Sequence, residues 1–387
     1  MRRFSAQYVI TNSGPVLKRA IISVDEEGRI VGVEDTGGNL PEERNIEFYN
    51  GIIVPGFVNC HCHLELSHLG KSIPEGTGLL NFIEHVRNNR SLSAENIISA
   101  AEAEDKAMYR RGISLCADIC NTADTFQLKT TSLVKYHNFI ELFGIDPSGA
   151  GKRINEALQL IDEAGKKGLN ATLTPHSFYS VSAELFNLLL IKAGKNKIST
   201  IHFMESPHER QYLLNNSGPI PSSYLRWGLL KSKTHPADYK TLLRQLPGTL
   251  ILVHNTFIDQ EDINLAKERG NIFFCLCPVS NNFIENSKPP IDMLIKNGCD
   301  LVIGTDSLAS NRKLDIMSEM ISLQLSFPEL IITDMVRWAT INGAVALNEE
   351  QEFGAIEIGK KPGLVLIENA DLQNMKLLPE SASTRLI

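Results

Sequence analysis

The chain has 387 residues, of which 43% are hydrophobic and 21% are charged, and this balance is ordinary for a soluble globular protein. Its formal net charge of −7 offers no basic surface for nucleic acid or for an anionic membrane. Composition therefore argues against nucleic-acid and membrane-surface partners and favours a small molecule as the binding partner.

The cysteine content indicates a reducing compartment. Seven cysteines, an odd number spread over a long chain, argue against a disulfide framework. The first residues contain no apolar stretch of signal-peptide length, and no run approaches the length of a transmembrane helix. We therefore expect a cytoplasmic protein with reduced thiols.

The N-terminal 54 residues contain short strand-like runs: AQYVITNS, VLKRAIISVD, RIVGVED and NIEFYNGIIVP. Turns rich in Gly, Asp and Asn separate these runs, and this pattern is typical of a small antiparallel sheet.

From Gly56 onward, apolar runs alternate with longer stretches of helical periodicity. Eight such runs occur in series: FVNCHCH, ISLCADIC, KYHNFIELFGI, LNATLTPHS, ISTIHFMES, GTLILVHNT, NIFFCLCPVS and CDLVIGTDS. Each precedes a candidate helix, such as INEALQLIDEAGKKG after the third run and AELFNLLLIKAGKN after the fourth. Near-continuous apolar runs indicate buried parallel strands, and eight strand–helix units fit a (β/α)₈ barrel of the TIM type.

The C-terminal tail returns to strand character. After the predicted helix MVRWATINGAVALN, the segment EIGKKPGLVLIENA is strand-like and is expected to complete the N-terminal sheet. We therefore predict an α/β protein with two domains. Residues 55–345 form the barrel, and residues 1–54 and 346–387 form a small β-sandwich domain.

Two segments are longer than barrel loops usually are: about 65–89 after the first parallel strand, and about 206–239 after the fifth. Both follow the carboxyl ends of strands, the face at which barrel active sites lie. We predict that these two insertions form substrate-binding walls or lids.

Polar side chains that bind metals recur at the ends of the predicted parallel strands. They are His61 and His63 on the first strand, His176 on the fourth, His202 and Glu205 on the fifth, His254 on the sixth and Asp306 on the eighth. Residues i and i+2 of a strand share one face, so His61 and His63 can point into the same barrel mouth. One His-x-His pair also arises in ordinary packing. Its repetition at several strand ends favours a catalytic metal site, because imidazole is a good ligand for zinc and iron.

The segments GIIVPGFVNCHCHLE, IHFMES, VHNT, CPVSNNFI and GTDSLASN resemble those of the amidohydrolase superfamily. The chain looks most similar to the branch that contains cytosine deaminase, chlorohydrolases, S-adenosylhomocysteine deaminase and aminodeoxyfutalosine deaminase. This resemblance spans nearly the whole chain, including the small β domain built from both termini. It also implies a homodimer.

The resemblance implies one metal and its ligands. In that branch, the metal is held by the two histidines of the first motif, a histidine after strand five and an aspartate after strand eight. Those roles fall on four residues, which are His61, His63, His202 and Asp306. Zinc is the expected metal, and iron is the alternative that the same donor set accepts.

A second metal is not predicted. Two-metal members carry a bridging carboxylated lysine at a strand end, and no lysine occupies the fourth strand here. Glu141, in the third strand, could instead bridge a second metal, contact substrate or pair with Arg or His, and structural pairing is the preferred interpretation.

The resemblance also implies catalytic roles for Glu205, His254 and Asp306. Glu205 matches the glutamate that shuttles protons, and His254 matches the histidine that polarises or orients the attacking water. A bound divalent metal lowers the pKa of its water toward neutrality and supplies hydroxide, and Asp306 can both ligate and accept a proton. A deaminase must also protonate a ring nitrogen and then the departing amine, which suits a carboxyl group near the metal but not on it.

Three residues are predicted to contact substrate. His176 matches a position that commonly does so in the resembling branch. Asn281, in CPVSNNFI after the seventh strand, can bind the edge of a heterocycle, and Glu84 in the first insertion can bind ribose hydroxyls. For Glu84, a solvated charge on a helix face is an equally good interpretation.

The sequence thus predicts a metal-dependent deaminase of an aromatic heterocycle, with an aminopurine or an adenosine derivative as substrate. Aminodeoxyfutalosine and S-adenosylhomocysteine are the two types of substrate that the resemblance suggests. One alternative is a hydrolase of a cyclic amide or a chloro-heterocycle. The other alternative is a non-catalytic binding protein that retains the barrel, which would require a broken site.

Overall fold

The computed structural model describes residues 1–41, 45–90, 92–194, 198–230 and 238–387, and it has a mixed α/β fold. The strands of these described residues are β1 (Arg2–Val9), β2 (Leu17–Lys18), β3 (Ile21–Val24), β4 (Ile30–Glu34), β5 (Ile46–Pro55), β6 (Phe57–Cys62), β7 (Ile113–Cys120), β8 (Lys135–Leu142), β9 (Asn170–Pro175), β10 (Ile198–Phe203), β11 (Thr249–His254), β12 (Ile272–Leu276), β13 (Asp300–Ile303), β14 (Leu364–Glu368) and β15 (Ala382–Arg385).

The helices alternate with the strands from β6 onward. They are α1 (Leu79–Asn89), α2 (Ala94–Arg110), α3 (Phe126–Lys129), α4 (Ala150–Lys166), α5 (Ala183–Lys192), α6 (Pro207–Asn215), α7 (Ile220–Arg226), α8 (Tyr239–Gln245), α9 (Gln260–Arg269), α10 (Pro278–Glu285), α11 (Ile291–Lys296), α12 (Ile316–Ser326), α13 (Ile332–Ala339) and α14 (Ile341–Ala346). Short 3₁₀ turns cover Leu64–Leu69 and Pro147–Gly149. Within the described ranges, none of these helices combines the length and apolar character needed to cross a bilayer.

All eight predicted parallel strands are present, as β6 to β13, and each is followed by at least one helix. They form two sheets of four parallel strands, ordered β6-β7-β8-β9 and β10-β11-β12-β13. Every residue of β6, β7 and β10 is buried, which explains why these strands read as continuous apolar runs. Helix α5 was expected to reach residue 196, but it ends at Lys192, because Ala193 adopts an extended backbone; residues 195–197 lie outside the described part of the chain.

The two parallel sheets also contact each other at both edges. Cys62 forms a parallel bridge with Asp306, and Ser177 forms one with His202. The backbone N–H groups of Thr305 and Asp306 both donate to the carbonyl of His61, at 2.9 and 3.0 Å. These bonds place the ends of the first and eighth parallel strands side by side.

Strands from both ends of the chain form one further sheet of seven strands, as predicted for the two termini. Strand β14 pairs antiparallel with β5, and β15 pairs antiparallel with β14. The expectation of a purely antiparallel sheet is wrong in one place, because β1 and β5 run parallel. The reason is topological: β2 and β3 pair with β1, β4 extends β3, and the chain then crosses to the other side of β1 before β5 begins.

The single helix predicted over MVRWATINGAVALN is in fact two helices. Thr340 separates α13 from α14, with φ −137° and ψ −90°, which are not helical values. Its hydroxyl group donates to the carbonyl of Val336 and accepts a hydrogen bond of 2.7 Å from the amide of Asn12. The side chain therefore competes with the helical backbone and stabilises the break.

Gly304 offers a test of how tightly the parallel strands pack beneath the strand ends. A Cβ atom at this position would lie 2.7 Å from the Cβ of His61 and 2.8 Å from the Sγ of Cys275. We expect Gly304→Ala to lower the free energy of unfolding by about 1–3 kcal/mol through overpacking, as measured by urea denaturation.

The matched control is Gly151→Ala in α4, where an added Cβ would meet no atom within 4 Å. That substitution should stabilise the protein by up to about 1 kcal/mol, since alanine favours helix more than glycine does. Equal stabilities of the two variants would contradict the close packing of Gly304.

Candidate active site

The polar side chains predicted at the strand ends converge on one buried cluster. His61 lies in β6 and His63 follows it, and their Nε2 atoms are 3.2 Å apart. Asp306, after β13, places Oδ1 3.6 Å from the Nε2 atom of His61 and 3.5 Å from that of His63. All three side chains are buried. Two nitrogens and one oxygen thus face a common centre.

These separations fit the donor set of a divalent metal. Donor atoms 2.0–2.2 Å from a tetrahedral zinc are separated from one another by roughly 3.3–3.6 Å. The three measured separations, 3.2, 3.5 and 3.6 Å, lie at or near these values. The His61–His63–Asp306 group could therefore hold a metal.

His202 joins this cluster from β10. Its Nδ1 atom lies 3.0 Å from the backbone carbonyl of His176, which can only accept, so Nδ1 carries the proton. This bond leaves Nε2 as the atom with a free lone pair, which is the form in which a histidine binds metal. The ring centroid of His202 is 4.8 Å from that of His61 and 5.3 Å from that of His254. His61, His202 and His254 form a second group with metal-binding separations.

Asp306 is held by two serine hydroxyls. Ser280 and Ser310 each donate a hydrogen bond of 2.6 Å to its Oδ2 atom, which leaves Oδ1 for the histidines. Burial by itself would raise the pKa of this carboxyl group, but the hydrogen bond from His61 and the neighbouring imidazoles hold the pKa of Asp306 well below its usual range. Asp306 is therefore ionised, as a ligand must be.

His254 is oriented by an asparagine. Its Nδ1 atom donates to Oδ1 of Asn281 at 2.8 Å, and the amide of Asn281 donates back to the carbonyl of His254. The side chain is buried, and its Nε2 atom has no hydrogen-bond partner among the described residues. A buried nitrogen of this kind needs a partner, so the geometry suits either a water molecule that donates to Nε2 or a metal ion that Nε2 binds. Burial also lowers the pKa of His254 and keeps the ring neutral.

Glu205 lies beside the cluster but contributes to none of the metal-binding groups. Its Oε1 atom is 3.6 Å from Nε2 of His254. Met204 adopts a left-handed backbone with φ 49°, which supplies the turn that brings both His202 and Glu205 to the site. Burial, reinforced by the negative charge of Asp306, raises the pKa of Glu205 to about 8. At neutral pH this carboxyl group can therefore both hold and release a proton.

His176 and Glu141 form a pair on the other side of His202. The Nδ1 atom of His176 donates to Oε1 of Glu141 at 2.8 Å, and the amide of Asn121 donates to Oε2 at 3.0 Å. Burial would raise the pKa of Glu141, yet the charge and hydrogen bond of His176 hold it well below its usual range. Glu141 is thus paired with a histidine, although Glu141, His176 and His202 also satisfy metal-binding separations.

A cavity of about 210 Å³ opens above this cluster. The polar side chains of its floor are His63, Glu141, His176, His202, Glu205, His254 and Asp306. Its walls are mostly apolar and come from both insertions: α1 supplies Leu79, Phe82, Ile83 and Val86, and the segment around α7 supplies Tyr224, Trp227 and Leu229. The described parts of both insertions therefore line the cavity, while residues 231–237 lie outside the described ranges.

Two of the predicted substrate contacts are not at the cavity. Glu84 forms an ion pair with Arg226 at 3.1 Å, and 43% of its side chain is exposed. On the α1 face that lines the cavity, Arg87 is the charged residue, and its guanidinium lies 5.4 Å from the ring centroid of Trp227. Asn281 is buried and hydrogen-bonded to His254, and it is not among the described residues that line the cavity.

Several contributors to the site were not predicted from sequence. Ser280 and Ser310, which hold Asp306, carry no local signal, because serine is common at helix starts and in turns. The aromatic residues Phe82, Tyr224 and Trp227 lie in the insertions, and Tyr179 lies in the segment between β9 and α5. Helical spacing alone does not distinguish a cavity wall from a core face.

Comparison with known proteins identifies relatives of this chain. A 5-methylthioadenosine/S-adenosylhomocysteine deaminase of Thermodesulfovibrio yellowstonii is 26% identical over 386 residues, which covers 94% of this chain and 84% of the relative. The structure of Helicobacter pylori aminofutalosine deaminase with methylthio-coformycin matches with a TM-score of 0.80 at 23% identity, over 96% of this chain and 93% of that protein. Atrazine chlorohydrolase of Arthrobacter aurescens TC1, complexed with zinc, matches with a TM-score of 0.71 at 18% identity, over 94% and 86%.

The resemblance that the sequence motifs indicated is confirmed. The model of the amidohydrolase family matches residues 52–382, which include every residue of the cluster described above. The two solved structures share the fold of this chain over nearly its whole length. The chain therefore belongs to the amidohydrolase family and is a hydrolase that acts on C–N bonds.

Proposed function

We propose that this chain is a metal-dependent hydrolytic deaminase that converts an aminopurine, carried by an adenosine derivative, to the corresponding oxo compound and ammonia. One observation carries the proposal: the buried carboxyl group of Glu205 lies 3.6 Å from His254, beside a cluster of metal-binding groups and outside it. Hydrolysis of a ring C–N bond needs such a group, because protons must move to a ring nitrogen and to the leaving amine.

The fold that we propose for this activity is a closed (β/α)₈ barrel over residues 55–345, with residues 1–54 and 346–387 as a separate small β-sandwich domain. The bridges from Cys62 to Asp306 and from Ser177 to His202 support closure, since they link the two parallel sheets at both edges. The seven-stranded sheet built from both termini supports the second domain.

The proposed metal ligands are His61, His63, His202 and Asp306. Zinc is the proposed metal, supported by the zinc-bound chlorohydrolase of the same fold, and iron would fit the same donors. When bound, such a metal lowers the pKa of a coordinated water toward neutrality and polarises it for attack.

Glu205 is proposed to move the protons. Its carboxylate takes one proton from the attacking water and delivers it to the ring nitrogen beside the carbon under attack. It then takes the second proton from the hydroxyl group so added and passes it to the amine as the C–N bond breaks, so that one water adds and one ammonia leaves. The pKa of about 8 that burial gives Glu205 suits this exchange near neutral pH.

His254 and His176 are proposed to orient the reacting groups. Asn281 holds the Nδ1 proton of His254, and the lone pair on Nε2 is therefore available to accept a hydrogen bond from the attacking water. Glu141 accepts the Nδ1 proton of His176 in the same way, so the other edge of that ring faces the cavity and can contact the heterocycle. Asp306 is proposed to accept a proton as well as to bind the metal.

The apolar walls of the cavity support a substrate larger than a free base. Phe82, Val86 and Trp227 offer stacking and dispersion contacts well beyond the polar floor. An adenosine derivative with an apolar substituent on the ribose would cover these side chains. The relative named as a methylthioadenosine and S-adenosylhomocysteine deaminase, and the fold relative named as an aminofutalosine deaminase, are consistent with this class.

Ammonia release from a panel of compounds tests the reaction class. We expect release from 5′-substituted adenosines, such as methylthioadenosine, S-adenosylhomocysteine and aminodeoxyfutalosine, with a higher kcat/KM than for adenosine, guanine or cytosine. Opening of a lactam, or chloride release from a chlorotriazine, without ammonia release from any amine would overturn the deaminase proposal. It would favour the cyclic amide or chloro-heterocycle hydrolase instead.

Replacement of Glu205 by Gln should separate proton transfer from metal binding. We expect the Glu205→Gln variant to lose about 10²–10⁴-fold in kcat, because the amide cannot exchange protons, while its metal content stays normal. Metal analysis and initial rates are measured on the same preparation. Loss of metal in this variant would mean that Glu205 is a ligand, whereas replacement of Asp306 should reduce both metal content and turnover.

Metal removal tests the ligand set. Dialysis against a chelator should abolish ammonia release, and added zinc should restore it at about one ion per chain. His61→Ala should not recover activity under the same treatment, because one of the proposed donors is missing. A purified protein that holds far less than one ion per chain and still binds the substrate without turnover would support the non-catalytic binding protein.

A further inference from the structure

Glu209 is a buried carboxylate near the site that the proposed reaction leaves without a role. Its side chain is fully buried, at 0% exposure, in the third position of α6. Its Oε1 atom accepts the backbone N–H of Met204 at 2.9 Å, and its Oε2 atom accepts the backbone N–H of Glu205 at 2.8 Å. Both oxygens thus bind the two residues that form the turn at the end of β10.

The local sequence predicts a different contact. Ser206 is the N-cap of α6, and its hydroxyl oxygen accepts the N–H of Glu209 at 3.1 Å, as in a capping box. In a complete capping box the glutamate three positions after the cap returns to the N–H of the cap residue itself. Here the carboxylate reaches past Ser206 to the two preceding residues.

The turn needs this support. Met204 adopts φ 49°, in the left-handed region that non-glycine residues avoid unless their surroundings stabilise it. Its buried N–H, and that of Glu205, require an acceptor, and Glu209 provides one for each. Burial raises the pKa of Glu209 to about 8, and the hydrogen bonds from these two backbone N–H groups oppose that shift by favouring the ionised form. In that form the carboxyl group accepts from both N–H groups at once and has no donor that would face either of them.

We infer that Glu209 is a positioning residue that fixes the turn at Met204 and thereby sets where the carboxyl group of Glu205 lies. This inference rests on the proposed role of Glu205 in proton transfer. Glu209 itself touches the backbone of Glu205 and does not line the cavity among the described residues. Its effect on the reaction therefore passes through the position of Glu205.

Two substitutions separate positioning from packing. Glu209→Gln keeps the size and shape of the side chain but turns one acceptor into a donor that faces a backbone N–H. Glu209→Asp is one methylene shorter and keeps both acceptors. A packing role predicts that Gln is tolerated better than Asp, and a positioning role predicts the reverse order in kcat.

The expected result for Glu209→Gln is a fall in kcat of about 10- to 100-fold, the size of effect that a displacement near 1 Å of a reacting group produces. KM should change less than about threefold, and the metal content should stay at the wild-type value. Glu209→Asp should recover a large part of kcat. A kcat for Glu209→Gln within twofold of wild type, or a lower kcat for Asp than for Gln, would overturn the inference.

Asp105→Asn is the matched control for loss of a buried carboxylate. Asp105 is also buried, and its Oδ1 accepts hydroxyl groups from Ser132 and Tyr136 at the start of β8, the end opposite the site. We expect this variant to lose thermal stability and to keep the wild-type kcat. If kcat falls equally in Asp105→Asn, the effect of Glu209→Gln comes from general destabilisation and the inference is wrong.

Hydrogen–deuterium exchange provides a readout that does not depend on turnover. The peptide that contains Met204 and Glu205 should exchange slowly in the wild-type protein, faster in Glu209→Gln, and at the wild-type rate in Asp105→Asn. Unchanged exchange in Glu209→Gln would disprove the role of Glu209 in holding the turn, even if that variant is active. If the wild-type protein releases no ammonia, the proposed function fails, while the exchange data still decide whether Glu209 holds the turn.

Discussion

The cost of burying polar groups governs the architecture of this site. Each polar side chain of the cluster lies where water has little access, and a buried polar atom without a partner is destabilising. The structure supplies a partner on the outer side of several of these groups, as Asn281 does for His254 and as Ser280 does for Asp306. The oxygen of Asp306 that Ser280 leaves free faces the Nε2 atoms of His61 and His63, at 3.6 and 3.5 Å. Satisfying the outer atoms of these side chains therefore leaves the remaining atoms to face the centre of the cluster.

A second constraint comes from the backbone at the strand ends. Met204, His254 and Asp306 have φ values of 49°, 74° and 57°, all in the left-handed region. Each such residue costs about 1–3 kcal/mol unless its surroundings stabilise it, and such residues cluster at functional sites. A left-handed residue ends the strand and breaks the alternation of side chains at that point. The ends of β10, β11 and β13 can thus bring Glu205, His254 and Asp306 to the same cavity.

The sequence predicts the positions of the proposed metal ligands better than those of the cavity walls around them. All eight parallel strands could be found, because buried parallel strands read as continuous apolar runs, and their polar terminal residues stand out against that background. The orientation of His254 by Asn281 could not be predicted, since Asn281 was expected to meet substrate and instead turns toward the ring. Glu84 lies on the same helix as cavity residues but forms an ion pair with Arg226. Adjacent residues of a helix point in different directions, so a difference of one position decides whether a side chain faces the cavity or Arg226. Contacts between segments distant in sequence decide these details, and no local pattern encodes them.

Buried carboxylates support the strand-end segments on several sides of the site. Asp118 accepts the backbone N–H of Leu64, the residue after His63, at 2.7 Å, and Glu319 accepts that of Val279, beside Ser280, at 3.0 Å. Neither side chain lies among the described residues that line the cavity, so both act on the backbone that carries the site. A carboxyl oxygen suits this task because it accepts a backbone N–H group in either charge state of the side chain. For Glu319 the neutral form is favoured, since burial raises its pKa well above the usual range. The charge of Asp118 is compensated directly by the buried Lys129. These two carboxyl groups therefore stiffen the backbone of the site without adding a large net charge to it. The negative charge that a divalent cation would meet is that of Asp306, whose pKa is held well below its usual range.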